Sequence, residues 1–440
     1  MSAWISGLTA WLGANPHWLG LAIFILACIE CLAIVGLIVP GTVLLFAVAA
    51  LAGNGALSLG TTMLLAFCGG LLGDLLSYAM GRYFHQDIRR LPGLRHHPQW
   101  LSGAESYFHR YGVVSLLVGR YIGPLRPMLP MVAGMLNMPF VRFLAISLLA
   151  GAGWAVAYIM PGWATGAALR LPLPAGFWPQ AAVVAAGLGL LLTASIYSSL
   201  RELRQATLLA AGLSLLLLLG LFVGWPRLSA LDQGLLALLQ ELHDSGLHRF
   251  MVFTTRVGDL RTQVAAGTLL CLLLLATRQW RAALFAVTTL LGSALGNTIL
   301  KATFARVRPD FLLEPLPSFS FPSGHSSAAF AFFLVIGVLA GRGQPPRMRL
   351  TWLLLACLPA TAIALSRLYL GVHWPSDVIA GALLACTLCA ASLAWVQRRD
   401  ELPALPAKVW WLLLPACIAL LGSVATWHLS EALLLYRPQG

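Results

Sequence analysis

The sequence predicts an all-α polytopic membrane protein, on three observations. Of its 440 residues, 59% are hydrophobic and only 10% charged, with a mean hydropathy of +0.83, far more apolar than an ordinary globular domain. Apolar runs recur along the chain, such as LLAAGLSLLLLLGLFVGW (208–225) and AALFAVTTLLGSALGNTIL (282–300), each near the ~20 residues that a spanning helix needs. The period-2 alternation of a membrane β-barrel is absent.

The net charge of +13 would suit a nucleic-acid partner, but the arginines sit in short loops between apolar segments. They therefore report topology and attraction to anionic lipid, and no nucleic acid is expected. The first segment, MSAWISGLTAWLGANPHW, lacks a basic n-region, so no cleaved secretory signal is expected. All eight cysteines fall inside apolar runs, without the polar loops of a disulfide framework or zinc site. Cys28 and Cys31 make a C-x-x-C with no histidine nearby, so neither metal nor redox cofactor is expected there.

In the first half, the apolar stretch from Leu19 to Leu57 is too long for one span and is interrupted by Glu30 and by Pro40-Gly41. A carboxylate at membrane depth is expensive and therefore a functional candidate. The run 61–80 carries Asp74 and Tyr78 and is followed by Gly81-Arg82. A basic, partly amphipathic stretch comes next, with Arg89, Arg90, Arg95 and Arg110, expected at the cytoplasmic membrane surface, and with His96-His97 as surface residues. Then GRYIGPLRPMLPMVAGMLNMPF (119–140) sets Arg120 and Arg126 among Pro124, Pro127 and Pro130. Broken backbone at membrane depth needs protein or a water-filled cavity to satisfy it, so Glu30 is expected to pair with Arg120 or Arg126 there. The turns VPG (39–41) and VAG (132–134) end two broken regions, which resemble the re-entrant repeats of transporters.

The polar stretch SIYSSLRELRQAT (195–207) separates the halves. Beyond it, regular spans are expected near 208–226, 262–277, 282–300, 324–341, 350–366, 377–396 and 409–429. Basic residues cluster in alternate loops: Arg201 and Arg204, Arg278 and Arg281, Arg342, Arg347 and Arg349, then Arg398, Arg399 and Lys408. The positive-inside rule makes these cytoplasmic, which leaves 227–261, 301–323 and 367–376 as external loops.

Three polar clusters meet on that external face, each at a helix end: Lys301 with Arg308-Pro309; Pro322-Ser323-Gly324-His325; and Ser366-Arg367 with His373 and Asp377. Lys301, Arg308 and Arg367 supply permanent charge and forked donors for phosphate oxygens. Ser323 and the Gly324 N–H add donors at a helix N-terminus. Pro375 suits a first helical position, which puts Asp377 in the first turn, where it can orient His373. An oriented imidazole is a nucleophile for phosphorus, and His325 can protonate the leaving oxygen. No carboxylate cluster accompanies these groups, so the chemistry requires no metal.

The pattern K-x6-RP, PSGH, SR-x5-H-x3-D resembles the type 2 phosphatidic acid phosphatase (PAP2) superfamily without gap or substitution over 301–377. The resemblance implies a six-helix core over about 205–398 and a metal-independent lipid phosphate phosphatase with His373 as nucleophile. That family shares its phosphate cradle with vanadium haloperoxidases, but a site at the rim of a membrane bundle suits lipid headgroups. In the first half, the pattern E…PG, GDxxxYxxGR, GRYxxPxR…P…AG is similar to the DedA family, related to SNARE-associated Golgi and VTT proteins, over about 15–175. This implies lipid translocation, including return of polyprenyl phosphate carriers, through Glu30, Arg120 and Arg126. Thr42 stands where many members place an acid, and Asp74 is the residue able to compensate.

The expected organisation is a DedA-like bundle with re-entrant helices over 1–195, a polar linker over 196–207, a six-helix PAP2-like bundle over 208–400, and one additional transmembrane helix over 401–440. The expected function is undecaprenyl pyrophosphate dephosphorylation at the external face of a bacterial inner membrane, coupled to carrier return. Phosphatidylglycerophosphate and phosphatidate are the rival substrates, and a transporter whose second domain merely binds headgroups is the rival class. The expected partners are a membrane lipid phosphate and the bilayer.

Overall fold

The computed structural model describes residues 7, 11–38, 41–84, 102–103, 105–106, 108, 113–120, 126–203, 205–241, 245–314, 316–427 and 429–438. Among the expectations above, those on Pro40, Arg89, Arg90, Arg95, His96, His97, Arg110, Pro124 and Arg204 lie outside the described residues. Every extended regular element among the described residues is a helix, and the one pairing of β type is a lone bridge between Leu312 and Pro438. Among the described residues, eight helices are long and apolar enough to cross a bilayer, and a further pair is bent by 47° at residues 258–259. The chain divides into two compact units, 1–172 and 173–440.

The first unit comprises α1 (Leu19–Cys31), α2 (Val35–Ile38), α3 (Gly41–Leu51), α4 (Leu59–Phe84), α5 (Val113–Gly119), α6 (Met128–Met135) and α7 (Phe140–Arg170). The long apolar stretch breaks earlier than Pro40-Gly41 alone would dictate. Leu32 is extended and Ile34 takes φ 70°, so α1 stops at Cys31, one residue after Glu30. Close helix contact explains the small residues of α4: a Cβ at Gly69 would lie 2.2 Å from the Phe24 carbonyl oxygen, and one at Gly73 2.4 Å from that of Cys28. In a bilayer, where burial of apolar surface drives little, such close packing supplies the association. Met128, Leu129, Met131 and Val132 of α6 pack with Tyr78 of α4 and Phe143 of α7 in one buried cluster.

The second unit comprises α8 (Phe177–Leu200), α9 (Ala206–Gly224), α10 (Ser229–Gln240), α11 (Ser245–Val257), α12 (Leu260–Ala276), α13 (Trp280–Phe304), α14 (Gly324–Ala340), α15 (Pro346–Tyr369), α16 (Pro375–Val396), α17 (Ala407–Thr426) and α18 (Leu429–Leu435). The division into compact units falls at 172, ahead of the polar stretch 195–207. Helix α8 belongs with the second unit because Leu188 and Leu191 share an apolar cluster with Leu213, Leu217, Leu218 and Leu221 of α9. Gln180 Oε1 also accepts a bond of 2.8 Å from the Leu231 backbone N–H.

Two further differences concern the flanks of the expected bundle. The segment 227–261, expected as an external loop, folds as α10 and α11, because its charges lie between apolar residues at helical spacing. Leu231 and Leu236 are buried by α10. The helix expected beyond the six-helix core is present as α17, and it is built into the unit. Leu402, Leu405, Val409, Leu413, Cys417 and Leu421 share one apolar cluster with Leu270, Leu274, Phe285 and Phe332.

Candidate active site

The three polar clusters stand at one end of the second unit's helices, the end opposite Arg278, Arg281, Arg398 and Arg399. Lys301 lies in the last turn of α13, Ser323 caps α14, Arg367 lies in the last turn of α15, and His373 and Asp377 flank the start of α16. Gly371 makes the sharp return between α15 and α16 with φ 64°, a left-handed conformation that costs a side-chain residue energy.

His373 is 1% exposed, between an acid and a base. Its Nδ1 lies 3.4 Å from Asp377 Oδ2, and its Nε2 lies 3.0 Å from Arg308 Nη1. A guanidinium can only donate, so Nε2 is the accepting, unprotonated nitrogen and the proton sits on Nδ1, facing Asp377. Burial, reinforced by the cations Arg308, Arg367 and Lys301, holds His373 well below the usual histidine value, so the imidazole is neutral. Its Nε2 lone pair is therefore present at neutral pH.

Asp377 is held in turn. Its Oδ2 accepts from the Trp374 N–H at 2.8 Å, and its Oδ1 accepts from Arg306 Nη1 at 2.7 Å. Arg306 Nη2 donates to Asp232 Oδ2 at 2.7 Å, and Asp232 accepts from both the backbone N–H and the hydroxyl of Ser376. The Arg306 guanidinium also lies 4.5 Å from the Trp225 ring centroid and 5.4 Å from that of Trp374. Every charge in this buried network has a partner of opposite sign.

The cationic residues crowd one another. Arg308 donates through Nε and Nη2 to Ser318, and through Nη1 to the Val372 carbonyl at 2.7 Å. Burial and the nearby Arg367 pull its guanidinium down to about 10. Lys301 donates to the Phe319 carbonyl. Arg367, 1% exposed, donates through Nη1 to Thr255 Oγ1 at 2.7 Å and to Tyr436 Oη at 2.9 Å. Like charges collected in a buried cleft are relieved by a bound polyanion.

Ser323 and Gly324 stand as the helix-end pattern implies. The Ser323 hydroxyl accepts from the Ser326 N–H at 3.4 Å, a helix cap, and the Ser323 N–H donates to the Asp377 carbonyl at 2.9 Å. A Cβ at Gly324 would lie 3.2 Å from Asn297 Oδ1 and 3.8 Å from Lys301 Cε, so this backbone approaches α13 closely. His325 Nε2 lies 2.9 Å from Asp259 Oδ1, and Arg256 holds the other Asp259 oxygen at 2.5 Å.

Five residues of this site escape a motif search: Asp232, Asp259, Arg256, Arg306 and Tyr436. For Asp232, Arg256 and Asp259 the one signal is the charge content of 227–261, since acids in helices of a chain so poor in charge need buried partners; Arg306 and Tyr436 carry none.

In the first unit, the choice left open by the sequence resolves into two ion pairs. Glu30 Oε1 accepts from Arg126 Nη1 at 2.9 Å, and Asp74 pairs with Arg120. The Thr42 hydroxyl donates to Glu30 at 2.8 Å, so the position where an acid is common holds a hydrogen-bonding partner of the acid in α1. Both guanidinium groups lie over Trp154, at 5.1 and 4.7 Å, and both approach Cys31 Sγ. Asp74, Arg120 and Arg126 line a small cavity with Ser147. Glu30 Oε2 and the Nε atoms of both arginines have no hydrogen-bond partner among the described residues.

Comparison with known proteins gives two family matches. The VTT domain matches residues 39–164, and the PAP2 superfamily matches residues 281–401. The chain is 38% identical over 152 residues to the inner membrane protein YabI of Escherichia coli strain K12, covering 34% of this chain and 60% of YabI. It therefore spans less than two thirds of that relative. It is 31% identical over 157 residues to the inner membrane protein YqjA of the same strain, covering 35% of this chain and 71% of YqjA. A crystal structure of a transmembrane PAP2 type phosphatidylglycerolphosphate phosphatase from Bacillus subtilis superposes with a TM-score of 0.40 at 24% identity, covering 43% of this chain and 97% of that one.

Proposed function

The chain belongs to the DedA family of VTT-domain membrane proteins through its first half and carries a PAP2-type lipid phosphatase domain in its second, and we propose from this that the two act in sequence on one lipid carrier. The second unit removes phosphate from undecaprenyl pyrophosphate at the external membrane face. The first returns undecaprenyl phosphate inward. The placement of the arginine-bearing turns at the opposite ends of the same helices supports an external site.

The observation that carries the phosphatase chemistry is the setting of His373, with Nε2 toward Arg308 and Nδ1 toward Asp377. Nε2 attacks phosphorus, the bond from phosphorus to the leaving oxygen breaks, and that oxygen takes a proton from His325. Water then attacks the phosphohistidine, His325 takes its proton, and the N–P bond breaks to release phosphate. Lys301, Arg308, Arg367, the Ser323 hydroxyl and the Gly324 N–H hold the phosphate oxygens throughout. Asp259 occupies Nε2 of His325, which leaves Nδ1 to exchange protons, and its carboxylate compensates the charge when the ring carries two protons. None of these steps uses a metal.

For the first unit, two unpartnered Nε donors beside a small cavity that Asp74 and Ser147 also line support capture of a lipid-borne phosphate at Arg120 and Arg126. Glu30 and Asp74 balance those charges when the site is empty of lipid.

Phosphate release from undecaprenyl pyrophosphate, phosphatidylglycerophosphate and phosphatidate, measured in EDTA with His373→Ala as control, tests the reading. Fastest release from the pyrophosphate is expected. A preference for either glycerolipid moves the substrate, and release no greater than the control's on every lipid removes the enzyme.

A further inference from the structure

The segment after α17 lies beyond the residues matched by the PAP2 superfamily, and it returns to the site. Tyr436 Oη lies 2.9 Å from Arg367 Nη1, and the guanidinium sits 5.4 Å from the tyrosine ring centroid. Both side chains are buried. The segment is fastened on several sides. The Leu313 N–H donates to the Arg437 carbonyl at 3.2 Å beside the Leu312–Pro438 bridge. Ala432 and Tyr436 pack with Val252, Tyr369, Leu370 and Val372, the last two flanking the turn that leads to His373. The Trp427 carbonyl accepts from Arg256 Nη2 at 3.1 Å, the arginine whose other nitrogen holds Asp259.

We propose that Tyr436 is a positioning residue for phosphate recognition, acting through Arg367. A guanidinium has five donors in a rigid fork, and its orientation decides which of them a phosphate meets. Tyr436 and Thr255 accept from the same nitrogen, Nη1, and so fix the plane of the fork from its far side. The Nε of Arg367 is buried with no partner among the described residues, a donor kept for a ligand. Helices α17 and α18 thus have a purpose in this site: they carry one of the two acceptors that aim a phosphate-binding arginine.

The inference rests on the reading of the second unit as a phosphatase, and the test separates the two. Orthovanadate serves as a probe of the cradle, with kcat and KM measured on the best lipid substrate and thermal melting measured alongside. Tyr436→Phe keeps the ring and its packing and removes the hydroxyl. The expected result is vanadate inhibition weakened by about tenfold, the scale of one hydrogen bond to a charged group, with KM raised more than kcat is lowered and melting unchanged. In an Arg367→Lys background the same substitution should add nothing. Thr255→Val, which removes the other acceptor, should act in the same direction. Unchanged vanadate inhibition in both single variants, or an equal loss in the Arg367→Lys background, overturns the proposal. A wild-type protein that releases no phosphate and binds no vanadate overturns the phosphatase reading itself.

Discussion

Arg306 Nη1 stands 2.7 Å from Asp377 Oδ1, and this contact decides which oxygen of Asp377 is left for His373. With Oδ1 committed to Arg306, Oδ2 serves the Trp374 N–H and the imidazole, so a residue outside the recognisable motifs sets the orientation of the proposed nucleophile. The same guanidinium neutralises Asp232, which would otherwise repel Asp377.

Replacing Arg306 by Gln leaves two buried carboxylates unpaired, a change worth about 3–5 kcal/mol for a broken buried pair. We expect a clear fall in melting temperature and a loss of kcat comparable with that of Asp377→Asn. Arg306→Lys keeps the charge without the fork and should recover melting more than kcat. Thermal melts and turnover of the three variants decide it.

His373 is held well below its usual value by burial and by three cations. In the proposed mechanism the neutral ring attacks, so activity is expected above its folded value and is expected to be lost as pH falls through that value. The acid limb of kcat/KM should therefore lie below about 6.5, the ordinary histidine value. Removing a cation by Arg308→Gln raises the histidine value and should move that limb to higher pH, besides weakening substrate binding. A limb that stays in place or moves to lower pH contradicts the electrostatic account.

Glu30→Gln or Arg126→Ala should abolish lipid flipping in proteoliposomes while phosphate release in detergent persists. Each single change strands a buried charge, so stability falls as well. The double change Glu30→Gln with Arg126→Gln removes both charges and should restore melting without restoring flipping. Flipping by the double variant at the wild-type rate would make the pair purely structural.

Gly371 has φ 64°, and a Cβ there would lie 2.7 Å from Phe311 Cβ. Gly371→Ala should destabilise by at least the ~1–2 kcal/mol of left-handed strain and lower kcat by displacing His373. Adding Phe311→Gly removes the Cβ that the new methyl meets but not the strain, so partial rescue is expected in melting and turnover.

The legible part of this protein was the part whose chemistry is local. Lys301, His325, Arg367, His373 and Asp377 each sit at a helix end, where a titratable residue interrupts an apolar pattern, Arg308 follows in the segment after α13, and their spacing carries the family resemblance. Their supports were not legible, because Asp232, Asp259, Arg306 and Tyr436 become neighbours of the site only through packing. The charges of 227–261 suggested a solvated loop, yet Asp232 is 1% exposed and faces Arg306. Pairing in the first unit is open in the sequence for the same reason: Glu30 lies at similar sequence distance from Arg120 and Arg126, and packing alone pairs it with the latter. Helix α8 carries no charged residue that would assign it to either half, and its partner surface on α9 has no sequence signature, so its packing with the second unit is visible only in the structure.

In the proposed mechanism phosphate passes through His373. Brief exposure of the purified His325→Ala variant to undecaprenyl pyrophosphate labelled in its terminal phosphate, followed by alkaline denaturation and peptide mapping, tests it directly. The account predicts an acid-labile label on the peptide containing His373, absent when His373→Ala is added. Turnover by the wild type with no label trapped in His325→Ala, together with activity retained by His373→Ala, would contradict it.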